Sequence, residues 1–579
     1  MIFMNRSIRK YFVLLILLVL FLDCAVYVSP VSAATIVVDT NEDQNNTDIE
    51  HCSLREAITA AKIDDDFGGC SAGSGADIIT LPADNYTLSG QLPYISGDIT
   101  INGAGAASTI IEANACNPVE ETCTHTNLIF WVFDSGTLTL NDLTLQHGRN
   151  INNNNGGVMF SDGSVTINNC IITANKGTYG GAIRNYYAGI MTISNSTISY
   201  SIADPSGGGF FNDGTLTITN STFLENSTIN GGGGAIYNYT GDYGVGSLTI
   251  TNSTFSGNNA ATNGGAIANI GGGTLTLINT TLSVNTGSTG AGIYNDGDST
   301  LNFTNSIIAN SITGSDCTNS GTIGTNVNNL VEDGTCSPAI SGDPSLGALA
   351  DNGGPTQTHA LLMGSTAIDA GNLGACPGAD QRGVARPKGS GCDIGAFEFY
   401  PAVADMTGTP TSGVAPLEVM FTNNSTGEYD TCLWDFGDST TSDECDPSPH
   451  TYTDAGVYTV SLTVSGLGGS DTKTLEDYIS VYSPVVADFS GSPTNGIAPL
   501  EVNFTNNSTG DYDTCLWDFG DTTTSSECNP SPHTYTDAGV YTVSLTVSGL
   551  GGSDTMTKAD YISVEELPAH ECFLPLVVK

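Results

Sequence analysis

Hydrophobic and polar positions alternate in short bursts along much of the first half of the chain. Seven bursts align: LTLNDLTL (138–145), VTINNCII (165–172), MTISNSTI (191–198), LTITNSTF (216–223), LTITNSTF (248–255), LTLINTTL (275–282) and LNFTNSII (301–308). Their fifth residues, Asp142, Asn169, Asn195, Asn220, Asn252, Asn279 and Asn305, are spaced 27, 26, 25, 32, 27 and 26 apart. A second burst precedes most of them: GGAIRN (180–185), GGGFFN (207–212), GGAIYN (233–238), GGAIAN (264–269) and GAGIYN (290–295). Strands this short bury no face alone. Stacked one per repeat, they form parallel sheets around a shared core. Three segments per repeat, separated by Gly or Asn, predict three sheets and a triangular section. Asn suits the corners because it tolerates left-handed backbone and its amide can bond to the same Asn one coil away. The corners are of an Asn185 type, an Asn195 type and an Asn226 type, the last shared by Asn175, Asn258 and Asn285. The expected fold is all-β, a parallel β-helix, right-handed as parallel crossovers usually are, rising about 4.8 Å per coil.

Other patterns flank this repeat. HCSLREAITAAK (51–62) reads as one helix: Ser53 and Glu56 make a capping box, and Leu54, Ala57, Ile58 and Ala61 share an apolar face. Such a helix would cover the first coil, with Arg55 facing solvent. Residues 34–134 then hold the cap and first coils, 135–310 the regular repeats, and 311–400 the last coils and a C-terminal closure. From about residue 402 a different repeat begins. HTYTDAGVYTVSLTVSGLGGSDT occurs at 450–472 and 533–555, and WDFGD at 434–438 and 517–521, both at an offset of 83. YTVSLTV alternates as a sandwich strand should. Two β-sandwich domains are expected, 402–483 and 484–565, with YSPVVADF (482–489) as the link and 566–579 as a short apolar tail. That tail could be a sorting signal, a final strand or a membrane contact.

Residues 1–33 carry Arg6, Arg9 and Lys10, then YFVLLILLVLFL, then VSA before Ala34, the order of a secretory signal. No later stretch is long and apolar enough to span a bilayer, so the expected location is secreted or at the cell surface or outer envelope. Sixty acidic residues against 14 basic give a formal net charge of −46, which disfavours nucleic acid and anionic membranes as partners. Extracellular polysaccharide or surface proteins fit better. No cofactor is required, although calcium is an ion the acidic turns could gather. Twelve cysteines fall in close pairs, Cys52/Cys70, Cys116/Cys123, Cys317/Cys336, Cys376/Cys392, Cys432/Cys445 and Cys515/Cys528, read as disulfides of an exported chain. Of the other three, Cys24 lies in the expected signal, and Cys170 and Cys572 remain. They could pair, or Cys572 could link to another molecule.

Several of these motifs resemble known families. The GGAI and Phe-x-x-Asn elements (FLEN at 223–226, FSGN at 255–258) resemble the repeats of polymorphic outer membrane proteins, which implies surface display and adhesion. No translocator barrel follows them here. CSLREAI resembles the CSLREA segment of bacterial surface β-helix proteins. DPSLGALADNGGPTQTHALLMGSTAIDAG, with DQRGVARP and CDIGAFE, resembles the choice-of-anchor Q region. The two WDFGD…HTYTDAGVYTVSLTV units resemble PKD domains, which implies Ig-like β-sandwiches.

None of these resemblances fixes a reaction. A β-helix lyase needs a base, usually Arg or Lys, beside bound calcium, and 135–310 offers only Arg149, Lys176 and Arg184. A hydrolase needs paired carboxylates, whereas Asp162, Asp213, Asp242, Asp296 and Asp298 are scattered in turns. No catalytic residue is assigned. The binding reading has a concrete feature. In the Gly-Gly element, alternation sends Met159, Ile183, Phe210, Ile236, Ile267 and Ile293 inward and the next residue outward: Phe160, Arg184, Phe211, Tyr237, Ala268 and Tyr294. Four of the six are aromatic, an outward stripe suited to sugar rings or partner proteins. Phe160, Arg184, Phe211, Tyr237 and Tyr294 are the candidate ligand residues, and a structural stack is the alternative. The sequons at Asn195, Asn220 and Asn252 are read as ladder positions, with glycan attachment the alternative. Trp434 and Trp517 are read as core anchors near Tyr458 and Tyr541, His450 and His533 as structural, and Asp435, Asp438, Asp518 and Asp521 as turn residues rather than calcium ligands. The leading expectation is therefore a non-catalytic adhesion or glycan- or protein-binding molecule, the β-helix its display surface and the PKD units spacers or binding modules. A β-helix polysaccharide lyase or glycoside hydrolase is the first alternative, and a structural envelope component the second.

Overall fold

Short strands that cannot stand alone do find their partners one coil away. A computed structural model of the chain describes residues 34–567 apart from 47, 121, 122, 124, 242 and 243. The expected signal, most of the tail, Asp242 and Cys572 lie outside the described residues. The chain divides into two compact units, the first ending at Phe399 and the second beginning at Tyr400.

The first unit is a parallel β-helix. An eleven-stranded sheet runs from Thr35–Val37 to Thr322–Val327, a ten-stranded sheet from Asn85–Thr87 to Leu330–Val331, and an eight-stranded sheet from Phe130–Val132 to Cys317–Asn319. Register places like on like: Leu216 pairs with Leu248, Leu248 with Leu275, and Leu275 with Leu301. Phe223 stacks on Phe255 at 4.6 Å between ring centres. A fourth, four-stranded sheet joins Arg149–Asn150, Lys176–Tyr179, Ile202–Ser206 and Ser227–Thr228, so the section is not a simple triangle. These segments have no apolar alternation. Backbone hydrogen bonds to the next coil make them strands, and periodicity cannot show that.

The corners divide two jobs that the sequence suggests one Asn might do. Asp142, Asn169, Asn195, Asn220, Asn252, Asn279 and Asn305 all take left-handed backbone, φ 46–57°. The continuous amide ladder lies elsewhere, at the end of the Gly-Gly element. There Asn185, Asn212, Asn238, Asn269 and Asn295 each donate an amide to the next Asn in the column, which ends at Asn319, at 2.6–2.7 Å. Asn226 and Asn258 begin a second ladder, donating to Asn258 and Asn285 at 3.1 and 3.0 Å. The sequon residues Asn195 and Asn220 are therefore bends rather than ladder members, while the Asn252 amide is taken by Ala379 O at 2.8 Å. A hydroxyl column accepts from the coil before it: Cys170 N donates to Ser196 Oγ and Ser196 N to Ser221 Oγ, at 3.0 and 3.2 Å. Cys170 stands in that column where later coils have Ser or, at Thr280, Thr. It forms no disulfide among the described residues, is 1% exposed, and burial pushes its thiol up to about 12. A thiol held protonated in the core is inert.

One helix, α1 (Leu54–Ile63), packs beside the first strands with Leu54, Ala57, Ile58, Ala60 and Ala61 buried. Both halves of its capping box form, and Cys52 is bonded to Cys70. Arg55 departs from expectation. It forms a fork to Asp43, 2.8 Å on both oxygens, and donates to Gln91 O and Gly90 O. Two other stretches of chain converge on it, at Asp43 and at Gly90–Gln91, which a helical wheel cannot foresee.

The other five cysteine pairs are also bonded: Cys116 to Cys123, Cys317 to Cys336, Cys376 to Cys392, Cys432 to Cys445, and Cys515 to Cys528. They are staples rather than ligand positions, and their surroundings say what each one fastens. Cys317 lies in the last strand of the eight-stranded sheet, and its partner Cys336 packs half-buried against the β-helix core. That bond ties the turn after Leu330–Val331 to the final coil. Cys392 is fully buried and accepts from the Asn305 amide through its sulfur at 3.9 Å, so the Cys376–Cys392 bond sits against the bend of a late coil. In the sandwiches Cys432 and Cys515 are buried in the two cores, while Cys445 and Cys528 pack half-buried at the edge of each. A cysteine pair is visible in the sequence, but which side of it enters a core is not.

After Leu330–Val331 the chain turns back on itself. Residues 343–399 run along the outer side of the ten-stranded sheet toward earlier coils. Asn305 and Asn279 bond to Asn372 O and Asp393 O, Thr254 to Gln381, and Thr222 to Gln357 O. Ile307, Ala309 and Leu330 close a second apolar core with Leu361, Phe397 and Phe399. The segment expected as an end closure is thus a lateral strap. It carries fully buried pairs, Arg382–Asp380 at 2.8 Å and Arg386–Glu398 at 2.9 Å. His359 is fixed between Gly347 O (2.8 Å) and Ser256 Oγ (3.0 Å), and burial lowers its pKa.

The second unit holds two similar β-sandwiches, each a three-stranded and a five-stranded sheet. Trp434 and Trp517 are fully buried. The nearest rings to Trp434 are Phe421 and Phe436, at 5.6 and 6.2 Å, while Tyr458 packs on Tyr452. His450 lies flat on Phe436 at 4.2 Å and meets Asp438 at 2.8 Å, and His533 repeats this on Phe519 and Asp521. Asp435 and Asp438 accept from Gly437 N and Thr440 N, as turn residues do. The segment expected as a linker belongs to the domains themselves. Tyr482 ends a strand of the first sandwich, and Val485, Ala487 and Phe489 are buried in the core of the second.

Candidate ligand-binding cleft

The cleft is built from the Gly-Gly element outward. Gly207 and Gly233 adopt φ of 73° and 68°, and a Cβ there would lie 2.1 and 2.4 Å from the carbonyl oxygens of Phe210 and Ile236. Only glycine lets the chain fold this tightly onto the strand that follows. That strand then sends Met159, Ile183, Phe210, Ile236, Ile267 and Ile293 inward, every one fully buried.

The outward positions do not form one open ribbon. Phe160 and Phe211 are only 8% and 6% exposed, Ala268 is fully buried, and Arg184, Tyr237 and Tyr294 are half-buried. Aromatic side chains of neighbouring segments cover them. Phe160 packs on Trp131 and Tyr186 at 5.3 and 5.4 Å. Phe211 stacks on Tyr237 at 5.1 Å and meets Tyr179 edge-on at 4.9 Å. Between these rings opens a cavity of about 640 Å³ whose lining includes Arg184, Phe211, Tyr237, Tyr186, Tyr187 and Asp213. Three of the five candidate residues, Arg184, Phe211 and Tyr237, thus come together. Phe160 supports the wall behind Tyr186, and Tyr294 is not part of the lining. Burial pushes the Tyr237 hydroxyl up to about 12, so it is a neutral floor.

Two charges sit in this aromatic setting. Arg184 Nη2 lies 3.2 Å from Asp213 Oδ2, and Nη1 donates to Asn154 O. The guanidinium lies 4.7 Å from the Tyr186 ring centre and 5.4 Å from that of Phe211, a cation–π arrangement. Its buried Nε has no partner among the described residues. Burial raises the Asp213 pKa against the pull of Arg184.

Sequence reasoning overlooked Tyr179, Tyr186, Tyr187 and Tyr239, and placed Asp213 among scattered turn acids. The available signal was the NYYAG stretch after GGAIRN, where two aromatics sit in a turn. Tyr186 and Tyr187 are 40% and 47% exposed and form the rim. Among the described residues, Cys116, Cys123 and His125 also cluster as metal-type ligands, but the two sulfurs are bonded to each other.

The PKD-domain family matches residues 401–481 and 483–564, the two sandwiches. Collagenase ColA of Bacillus cereus is 40% identical over 80 residues, covering 13% of this chain and 8% of the collagenase. The chain therefore spans under a tenth of that relative's length. Pectate lyase Pel9A aligns with 64% of this chain and 98% of its own, at 17% identity and a TM-score of 0.37. A solution NMR structure from Methanosarcina mazei aligns with 14% of this chain and 52% of its own, at 39% identity and a TM-score of 0.12. Two PKD domains thus follow a parallel β-helix, and the disulfides belong to an oxidising, extracytoplasmic setting. No helix among the described residues is long and apolar enough to cross a membrane.

Proposed function

We propose that this β-helix followed by two PKD domains is a binding protein of the cell exterior, secreted or surface-held, which captures its ligand in the aromatic cleft. The observation that carries this reading is the cleft itself: a preformed cavity with a stacked floor at Phe211 and Tyr237 and an exposed rim at Tyr186 and Tyr187. Concave sites walled by aromatics, with few polar groups, suit sugar rings and side chains of partner proteins. The PKD domains act as spacers or further binding modules. The CSLREA-like and choice-of-anchor-like segments add to the surface reading. An enzyme of lyase or hydrolase type would need a free base beside a metal, or two carboxylates across the cleft. Arg184 is ion-paired here, and Asp213 is the single acid in the described lining.

The test is retention on a panel of immobilised glycans and surface proteins, run beside a reducing-end release assay. Binding lost in the Tyr186→Ala, Tyr187→Ala double variant supports the reading. Binding indifferent to that double variant, or release of reducing ends by the wild-type protein, sinks it.

A further inference from the structure

The charges of the cleft discriminate between saccharides. Resting on the binding reading above, we infer that the ligand is a neutral glycan, a chain of uncharged pyranose units, and that uronate polymers are rejected.

The described lining holds one cation and one anion, and the two are ion-paired with each other. Arg184 and Asp213 meet at 3.2 Å with side chains only 15% and 9% exposed. A guanidinium held by a carboxylate in a poorly solvated site has little attraction left for a second carboxylate. A uronate would also face Asp213 Oδ1, which makes no hydrogen bond among the described residues, Oδ2 being the atom that meets Arg184. The wider field acts in the same direction, since the chain carries a net charge of −46 and its potential repels polyanions.

A neutral pyranose meets none of these penalties. Its C–H face can lie on Tyr186 or Tyr187 at the rim. Its hydroxyls, each both donor and acceptor, can give a proton to Asp213 Oδ1 and accept from the guanidinium. The ion pair then acts as a polar clamp of zero net charge. The cavity, about 640 Å³, falls within the usual range of small-ligand sites, roughly 300–1,000 Å³.

Calorimetric titration of the full chain with neutral oligosaccharides (xylo-, manno- and gluco-oligomers) and with oligogalacturonate and alginate oligomers tests this. The expected result is binding of a neutral series with little salt dependence and no binding of uronates. Tyr186→Ala should weaken it about tenfold. Asp213→Asn releases Arg184 from its partner, so neutral binding should fall while salt-sensitive uronate binding appears. Circular dichroism of each variant verifies the fold. The Arg184→Met variant, which removes the cation, should bind neither series. Wild-type preference for uronates, or an Asp213→Asn variant with unchanged charge preference, overturns the neutral-ligand inference and leaves the cleft as a glycan site. Absence of binding by any saccharide, with a protein partner captured through the same tyrosines, overturns the glycan assignment and leaves the binding reading standing. Failure of every ligand to depend on the tyrosines overturns both.

Discussion

Asn212 donates its side-chain amide to Asn238 Oδ1 at 2.7 Å, and both residues are fully buried. Asn238 in turn donates to Asn269 Oδ1 at 2.7 Å and to Gly246 O at 2.7 Å. Each amide is thus donor to one coil and acceptor from another. A buried polar column is stable where its members satisfy one another, and in this one only Asn185 Oδ1, at its head, lacks a partner among the described residues.

Replacing a middle member breaks both links. Asn238→Ala should destabilise the β-helix by roughly 1–3 kcal/mol, the cost of leaving the buried Asn269 Oδ1 without its donor, since the Asn212 amide keeps Gly214 O and Ser247 O. Denaturant unfolding followed by far-ultraviolet circular dichroism measures it. A loss under about 0.5 kcal/mol, the range of ordinary surface substitutions, would show that the ladder is incidental.

The bend residues should respond differently. Asn195 has φ 50° and is only half-buried. Asn195→Gly should be nearly neutral, whereas Asn195→Val should cost about 1–2 kcal/mol because a β-branched side chain resists left-handed backbone. Equal unfolding midpoints for the two variants would contradict the division between bend and ladder.

The repeat was legible in the sequence because its apolar residues recur at a fixed spacing and point inward, as Leu216, Leu248 and Leu275 do. Alternation also marked the correct inward residues of the Gly-Gly element. What it could not show depends on contacts far apart in sequence. The Thr222–Gln357 bond spans 135 residues, so the strap was invisible. The fork from Arg55 to Asp43 and Gly90 likewise joins three segments with no common period. For the cleft, strand direction gave Arg184, Phe211 and Tyr237. The rim came from Tyr186 and Tyr187, in a turn whose direction no periodicity fixes.

Arg55 gives a third prediction. Burial alone would raise the Asp43 pKa, but hydrogen bonds from Arg55 and Ser89, with the guanidinium charge, hold it below the ordinary carboxylate value. Its stabilising effect is present above the unfolded value of about 3.8 and is lost as pH falls through the lower folded value. Arg55→Ala should cost about 2–3 kcal/mol at neutral pH by leaving Asp43 buried without its partner. Repeating the unfolding below about pH 3 should shrink the difference. A cost that does not change with pH would mean that Arg55 acts through packing alone.

The strap should respond to pH in the opposite sense. Burial, and then the charge of Glu398, push the Asp393 carboxyl up to about 7, against hydrogen bonds from Asp369 N and Phe399 N and the charge of Arg386. Arg382 and Asp380 complete the charged surroundings. Between 3.8 and about 7 the folded chain keeps a proton that the unfolded chain has lost. That stabilisation is full below the unfolded value and disappears as pH rises through the folded one. The melting temperature of the β-helix unit should fall from about pH 5 to about pH 8, and Asp393→Asn should flatten the fall. A variant that keeps the wild-type slope would assign the effect to Glu398, whose pKa burial also raises.

Floor and rim of the cleft should separate stability from binding. Tyr237 is half-buried and stacked on Phe211 at 5.1 Å, with an interplanar angle of 16°. Tyr186 is 40% exposed and gives one face to Arg184. Removing the floor ring leaves a cavity against Phe211, so Tyr237→Ala should destabilise the unit by about 2–4 kcal/mol as well as abolish binding. Tyr186→Ala loses a ring that is largely wet, so stability should change by under about 1 kcal/mol while affinity falls. Tyr294 lies outside the lining, and Tyr294→Ala should leave affinity unchanged. Paired melting and titration curves for the three variants decide it. A Tyr294→Ala protein that loses the ligand would move the site away from the cleft and back to the outward stripe.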